Sequence, residues 1–170
     1  MFHRSNEYQF LTLWRVEGTA AEVYDIISNP LQFPRWWPSV YLSATQMEAG
    51  NGNGIGRRVH FRTKGRLPYT LSWESLTVEA ERPSTIAIRA SGDFDGGGVW
   101  TFRPAGAFVD ISFDWRLTAE KPLLRNLSWL FKPVFAANHR WAMARGLECL
   151  QAELLRRRSM QREQVLDASR

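Results

Sequence analysis

Cysteine is nearly absent from these 170 residues. The single thiol, Cys149, excludes an intramolecular disulfide framework and points to a reducing, cytoplasmic setting. Long apolar runs are missing as well. Nothing approaches the roughly 20 consecutive apolar residues that a membrane span needs, and MFHRSNEYQF at the start holds no apolar core of signal-peptide length. The expectation is a soluble chain with no stable membrane insertion. Only three histidines occur, His3, His60 and His139, on separate elements and without a metal-type partner in sequence, so neither a metal nor a cofactor is expected. There is also no Ser/His/Asp order and no paired-carboxylate motif, and spacing therefore assigns no catalytic residue.

Charge of one sign is in modest excess, +5 overall, and much of it lies between Arg156 and Arg170. No recognition-helix pattern, zinc-finger spacing or RNA-binding aromatic signature accompanies it, so nucleic acid is not an expected partner. Arg156, Arg157 and Arg158 read as complements to the negative end of a helix dipole.

What the chain does have is apolar and aromatic side chains. At 44% hydrophobic residues it can form one domain that buries about 70% of its unfolded surface. That domain is expected over residues 1–158, followed by a basic, flexible tail over 159–170. From Tyr8 to Val16 the spacing predicts a strand with Tyr8, Phe10, Trp14 and Val16 on one side. Thr19 and Glu22 spell a capping box for a short helix over Ala20 to Ser28, which Asn29-Pro30 should end. Leu31 to Pro38 predicts a second short helix or turn. Adjacent on it, Trp36 and Trp37 should diverge, one into the core and the other, taken as Trp37, onto a cavity wall.

Six strands follow. Val40 to Glu48 and Arg57 to Lys64 flank GNGNGIG, which reads as a hairpin loop because no helix follows it as a phosphate loop requires. In the second of these strands His60 shares the outer face with Arg58, Arg62 and Lys64. Leu67 to Glu81 turns Tyr69, Leu71 and Trp73 inward, then Leu76 and Val78, which predicts a bulge near Glu74 or Ser75. Thr85 to Phe94 is followed by a turn at Asp95-Gly96 and the glycines at 96, 97 and 98, and Val99 to Arg103 returns with Trp100 and Phe102 inward. Val109 to Leu117 alternates most cleanly, with Phe113 and Trp115 inward. Pro122 to Lys132 predicts a turn or two of helix, with Pro133 at the first position of a long helix.

That helix, Val134 to about Arg158, is amphipathic. Phe135, Ala142, Gly146, Cys149 and Leu150 share a face with His139 and Glu153, while Arg140, Ala144, Glu148 and Gln151 lie opposite. Ala142 and Gly146 leave room there for close approach. A meander of strands cannot close a core alone, and this helix laid across the apolar faces would do so.

Several strings carry a resemblance: PRWWPSV at Pro34 to Val40, GRLPY at Gly65 to Tyr69, GDFDGGGVWTF at Gly92 to Phe102, DWRLTAEKP at Asp114 to Pro122, and FAANHRWAMARGLECL at Phe135 to Leu150. With the order of elements they make the chain similar to the SRPBCC superfamily, which includes START domains, and within it to the bacterial polyketide cyclase/dehydrase-like proteins. The resemblance implies an α+β helix-grip fold: a curved antiparallel sheet of about seven strands wrapped around the long C-terminal helix, with two short helices after the first strand. It also implies an apolar cavity between sheet and helix for a lipid, polyketide or other hydrophobic molecule.

The inward faces offer that cavity Tyr69, Trp73, Phe94, Trp100, Phe102, Phe113 and Trp115, with Trp37 from the short helix and Phe135, His139 and Met143 from the long one. Each aromatic has a second reading as ordinary core. His139 is either a satisfied buried histidine or a group that titrates near neutral pH and polarises a ligand carbonyl. Two functions stand: binding, with transport as one form of it, of a hydrophobic small molecule, or a metal-free cyclase, aromatase or dehydratase in which Tyr69 or His139 handles protons. A weaker third is a partner-binding or membrane-docking module that uses the basic tail.

Overall fold

The computed structural model describes residues 7–119 and 128–169. β1 (Glu7–Glu17) buries its Trp14 and Val16 side and leaves Leu11 and Leu13 outside. At Gly18 the strand ends, and α1 (Ala20–Ile27) begins on the expected capping box. The Thr19 hydroxyl oxygen accepts the Glu22 amide at 3.2 Å, and Glu22 Oε2 accepts the Thr19 amide at 2.8 Å. A 3-10 turn over Pro30–Gln32 runs into α2 (Phe33–Trp36). Because α2 stops at Trp36, Trp37 leaves helical geometry, with φ −127° and ψ 53°. Both indoles are buried, their ring centres 5.5 Å apart.

The remaining strands are β2 (Tyr41–Glu48), β3 (Arg58–Lys64), β4 (Thr70–Glu81), β5 (Thr85–Gly92), β6 (Phe94–Ala105) and β7 (Phe108–Ala119). They form one seven-stranded antiparallel sheet in the order β1-β7-β6-β5-β4-β3-β2. α3 (Ser128–Ala168) packs against it, and the two together make the α+β helix-grip fold that the resemblance implies.

Four expectations need correction. The bulge in β4 falls between Thr77 and Glu79 rather than at Glu74 or Ser75. Alternation continues through buried Ser75 to Thr77, so Leu76 faces outward with Arg58, and Val78 is exposed. Two hydroxyl residues hold inward places that an apolar pattern assigns elsewhere. The glycines at 96, 97 and 98 lie within β6, paired with Ala90, Arg89 and Ile88, and the turn before them is at Asp93. At Gly98 a Cβ would meet the rings of Phe113 and Trp115, so glycine is what lets these β7 aromatics lie across β6.

The third and fourth corrections concern α3. Pro133 sits inside the helix, not at its first position, and most of the turn expected over Pro122 to Lys132 lies outside the described residues. The helix continues ten residues past Arg158, and residues 159–169 are exposed throughout. Over 159–170 Arg162 and Arg170 balance Glu163 and Asp167, so this segment is not basic.

The three arginines before it are therefore not at a helix end, and they tie α3 to the short helices instead. Buried Glu153 accepts hydrogen bonds from Arg156 at 2.8 Å, from Arg157 at 2.8 Å and, across the interface, from α2 Arg35 at 2.6 Å. Burial pushes its carboxyl up, but the hydrogen bonds from Arg156, Arg35 and Arg157 outweigh that and hold it well below the usual carboxylate range. Arg158 donates to Glu22 of α1 at 2.9 Å. That bond, ahead of the opposing effect of burial, brings the Glu22 carboxyl down to about 2.

Candidate functional site

Between the sheet's inner face and α3 lies a cavity of about 230 Å³. A water needs about 10–15 Å³ by the same measure, so this space is sized for an organic molecule. The inward positions of the strands carry large rings that lean or stack on one another around it. Trp73 contacts Phe61 at 5.0 Å, Phe94 at 5.2 Å and Trp115 at 5.8 Å between ring centres, and Trp100 stacks on Phe113 at 4.1 Å.

Of the residues expected at the site, Tyr69, Trp73, Phe94, Trp100, Phe113 and Trp115 reach the wall from the sheet side. Trp37 closes it from the α2 side, and Phe135, His139 and Met143 cover it from α3. Phe102 does not reach it. It is buried one layer away, parallel to Trp100 at 6.5 Å and edge-on to Tyr24 at 5.8 Å, because inward positions near the β6–β7 turn meet α1 rather than α3. Ala142 is on the wall, but the room expected at Gly146 is taken by the Trp37 indole, which lies where a Cβ would be.

The sequence reading left out part of the wall. Phe10, Phe33, Tyr41 and Phe61 belong to it, as do the polar Ser28, Asn53, Arg57, Ser75, Thr77 and Asn138. Alternation turned Phe10 to the side of Tyr8 and Trp14, and it sets Phe61 opposite His60 and Arg62, so that signal was enough to find them. Of the polar group, Ser28, Asn53 and Arg57 come from a helix end and a loop that only the folded chain brings together, Ser75 and Thr77 lie within β4, and Asn138 lies inside α3. Asn138 of α3 fastens the β3–β4 loop, its Oδ1 accepting the Arg66 amide at 2.8 Å.

His139 is not poised to titrate near neutrality. Its ring stacks on Phe10 at 4.3 Å, and Nε2 lies 3.4 Å from Thr12 Oγ1. Burial first, and then the charge of Arg140, lower its pKa to about 4, so the imidazole is neutral at pH 7. Burial and the neighbouring Tyr8 push the Tyr69 phenol up to about 12, and burial raises Tyr41 well above its ordinary value. The wall therefore offers neutral hydroxyls, a neutral imidazole, the cation of Arg57 and that of Lys64, which is exposed, as its outward place in β3 implies, yet also borders the cavity. Among the described residues it carries no aspartate or glutamate. His60, as expected, lies on the outer face, with Nε2 2.8 Å from Ser72 Oγ.

Among the described residues no group of three or more His, Cys, Asp or Glu converges on a point that could hold a metal ion, and no helix is long and apolar enough to cross a membrane.

Over residues 14–155 the chain matches the family described as polyketide cyclase/dehydrase and lipid transport. Compared with curated protein sequences, it matches none. Its fold is similar to that of the ZhuI aromatase/cyclase from Streptomyces sp. R1128, with TM-score 0.67 and 15% identity over 89% of this chain and 95% of that one. A START superfamily protein from Mycobacterium smegmatis gives TM-score 0.70 at 12% identity, over 87% and 97% of the two chains. The di-domain aromatase/cyclase StfQ of the steffimycin pathway gives 0.68 at 16% identity, with 92% of this chain covering 53% of that one. These likenesses establish the fold.

Proposed function

The chain belongs to the polyketide cyclase/dehydrase and lipid transport family, and on that premise we propose that it binds a hydrophobic small molecule, a lipid or a polyketide, in the cavity between sheet and α3. The observation that carries this reading is the cavity itself. Its wall is mostly aromatic and aliphatic, with a few polar groups spread around it, the usual make-up of a small-molecule site. Binding would be driven by removal of apolar ligand surface from water, at about 25 cal/mol per Å², with the polar groups fixing orientation.

Native mass spectrometry of the purified protein, followed by extraction and identification of what co-purifies, tests it directly. A mass increment that extracts as an apolar compound is the expected result. Failure to load any of a panel of lipids and aromatic polyketides would sink the reading. His139→Ala and Tyr69→Phe should change affinity with no turnover to lose.

A second reading, a cyclase or aromatase acting in the same cavity, is favoured by one specific feature. His139 and Tyr69 share the wall. A neutral imidazole can accept a proton at pH 7, and a phenol held protonated can donate a hydrogen bond to an enolate oxygen. ZhuI and StfQ, named as aromatase/cyclases, have the same fold. Loss of a measured conversion in either variant, with ligand still bound, would decide for the enzyme.

A further inference from the structure

We infer that the ligand of this cavity is an acidic amphiphile, an extended apolar body with an anionic oxygen head group held at Arg57. This rests on the reading of the cavity as a hydrophobic-ligand site and specifies the chemistry of what it takes.

Arg57 stands just before β3, on the cavity wall where the β2–β3 loop meets the C-terminal end of α1. Its Nη1 donates to the Ser28 carbonyl at 3.0 Å, and its Nε lies 3.4 Å from the Ala49 carbonyl. A guanidinium has five N–H donors, so these two contacts leave most of the fork unused. Most other arginines that approach the body of the fold have a carboxylate: Arg35, Arg156 and Arg157 share Glu153, Arg158 has Glu22, Arg58 has Glu48 and Glu74, and Arg82 has Asp25. Among the described residues Arg57 is the half-buried arginine that has none. A partly desolvated cation beside an apolar cavity is under-compensated, and a carboxylate or similar anion presented from inside would meet the fork in bidentate geometry.

The rest of the wall agrees. With no aspartate or glutamate on it, nothing there would neutralise an amine. The hydroxyls of Tyr41 and Tyr69 have no hydrogen-bond partner among the described residues, and both stay protonated at neutral pH, so they can donate to oxygen. Lys64, at the far end of β3, is the other wall cation. Between these ends the inward side of β3 and its neighbours is aromatic, with Phe61 and Trp73 in contact.

Arg57 could instead serve only to fasten the loop to the Ser28 carbonyl at the end of α1. The experiment separates the two roles. Tetradecanoate and tetradecanol, which share a chain and differ in head group, are titrated calorimetrically into the wild type and into the variants Arg57→Met, Arg57→Lys and Lys64→Met. The wild type should bind the acid at least tenfold more tightly than the alcohol, about 1.4 kcal/mol. Arg57→Met should abolish that preference while alcohol affinity stays within about twofold, Arg57→Lys should keep part of it, and Lys64→Met should leave it intact. Equal affinities in the wild type, a preference lost only with Lys64, or parallel loss of acid and alcohol in Arg57→Met would each overturn the inference while leaving the cavity reading in place. Binding of neither compound by the wild type would overturn both.

Discussion

His139 shows how position alone sets what a side chain can do. Stacked on Phe10 and largely withdrawn from water, its imidazole keeps a pKa of about 4 against an ordinary 6.5. The folded state thus binds this proton less readily than the unfolded chain. The associated stability is fully present above pH 6.5 and is lost as the pH falls through 4. Glu22, at about 2 against 4.5, adds a second loss only below pH 4.5. Urea midpoints of the wild type should accordingly drop by the equivalent of roughly 2 kcal/mol between pH 6.5 and 4.5, and His139→Gln should flatten that slope. Identical slopes would show that His139 is exposed enough to ionise freely. Gly146 is the opposite case, a residue that matters through what it lacks. Gly146→Leu must displace the Trp37 indole and should cost about 1–3 kcal/mol in chemical denaturation, and an unchanged midpoint would contradict the packing described.

Among the elements, the seam between α3 and the two short helices depends on charge as well as apolar contact. Glu153→Gln keeps the shape but leaves Arg35, Arg156 and Arg157 without their anion. Because those arginines are partly exposed, the expected cost is about 1–3 kcal/mol, below that of a fully buried pair, and Arg35→Met should cost less. Equal urea midpoints for Glu153→Gln and wild type would count against it. None of this was legible in the sequence, where Glu153 was an isolated carboxylate on an apolar face and its α2 partner lay 118 residues away. The strands were legible because β1, β3 and β7 alternate strictly. Where the pattern failed, the cavity was the cause. Ser75 and Thr77 point inward, and Gly98 makes way for two rings, so polarity and glycine content stopped reporting which way the chain faced. The wall aromatics of β6 and β7 followed from alternation, whereas Arg57, Asn53 and Ser28 come from a loop and a helix end whose meeting no periodicity encodes.

For the molecule as a whole, the last turns of α3 stand apart from the rest. Residues 159–169 are exposed along their length, so a chain ending at Arg158 should keep its melting temperature within about 2 °C and its ligand affinity unchanged. A larger drop would mean that these turns support the domain. The aromatic lining has an optical consequence too. Among the described residues four tryptophans, Trp37, Trp73, Trp100 and Trp115, border the cavity, close enough to other rings to share excitation. Whatever enters changes the polarity around their indoles, so the protein's own emission, with no label attached, becomes the gauge of whether the chamber is empty or full.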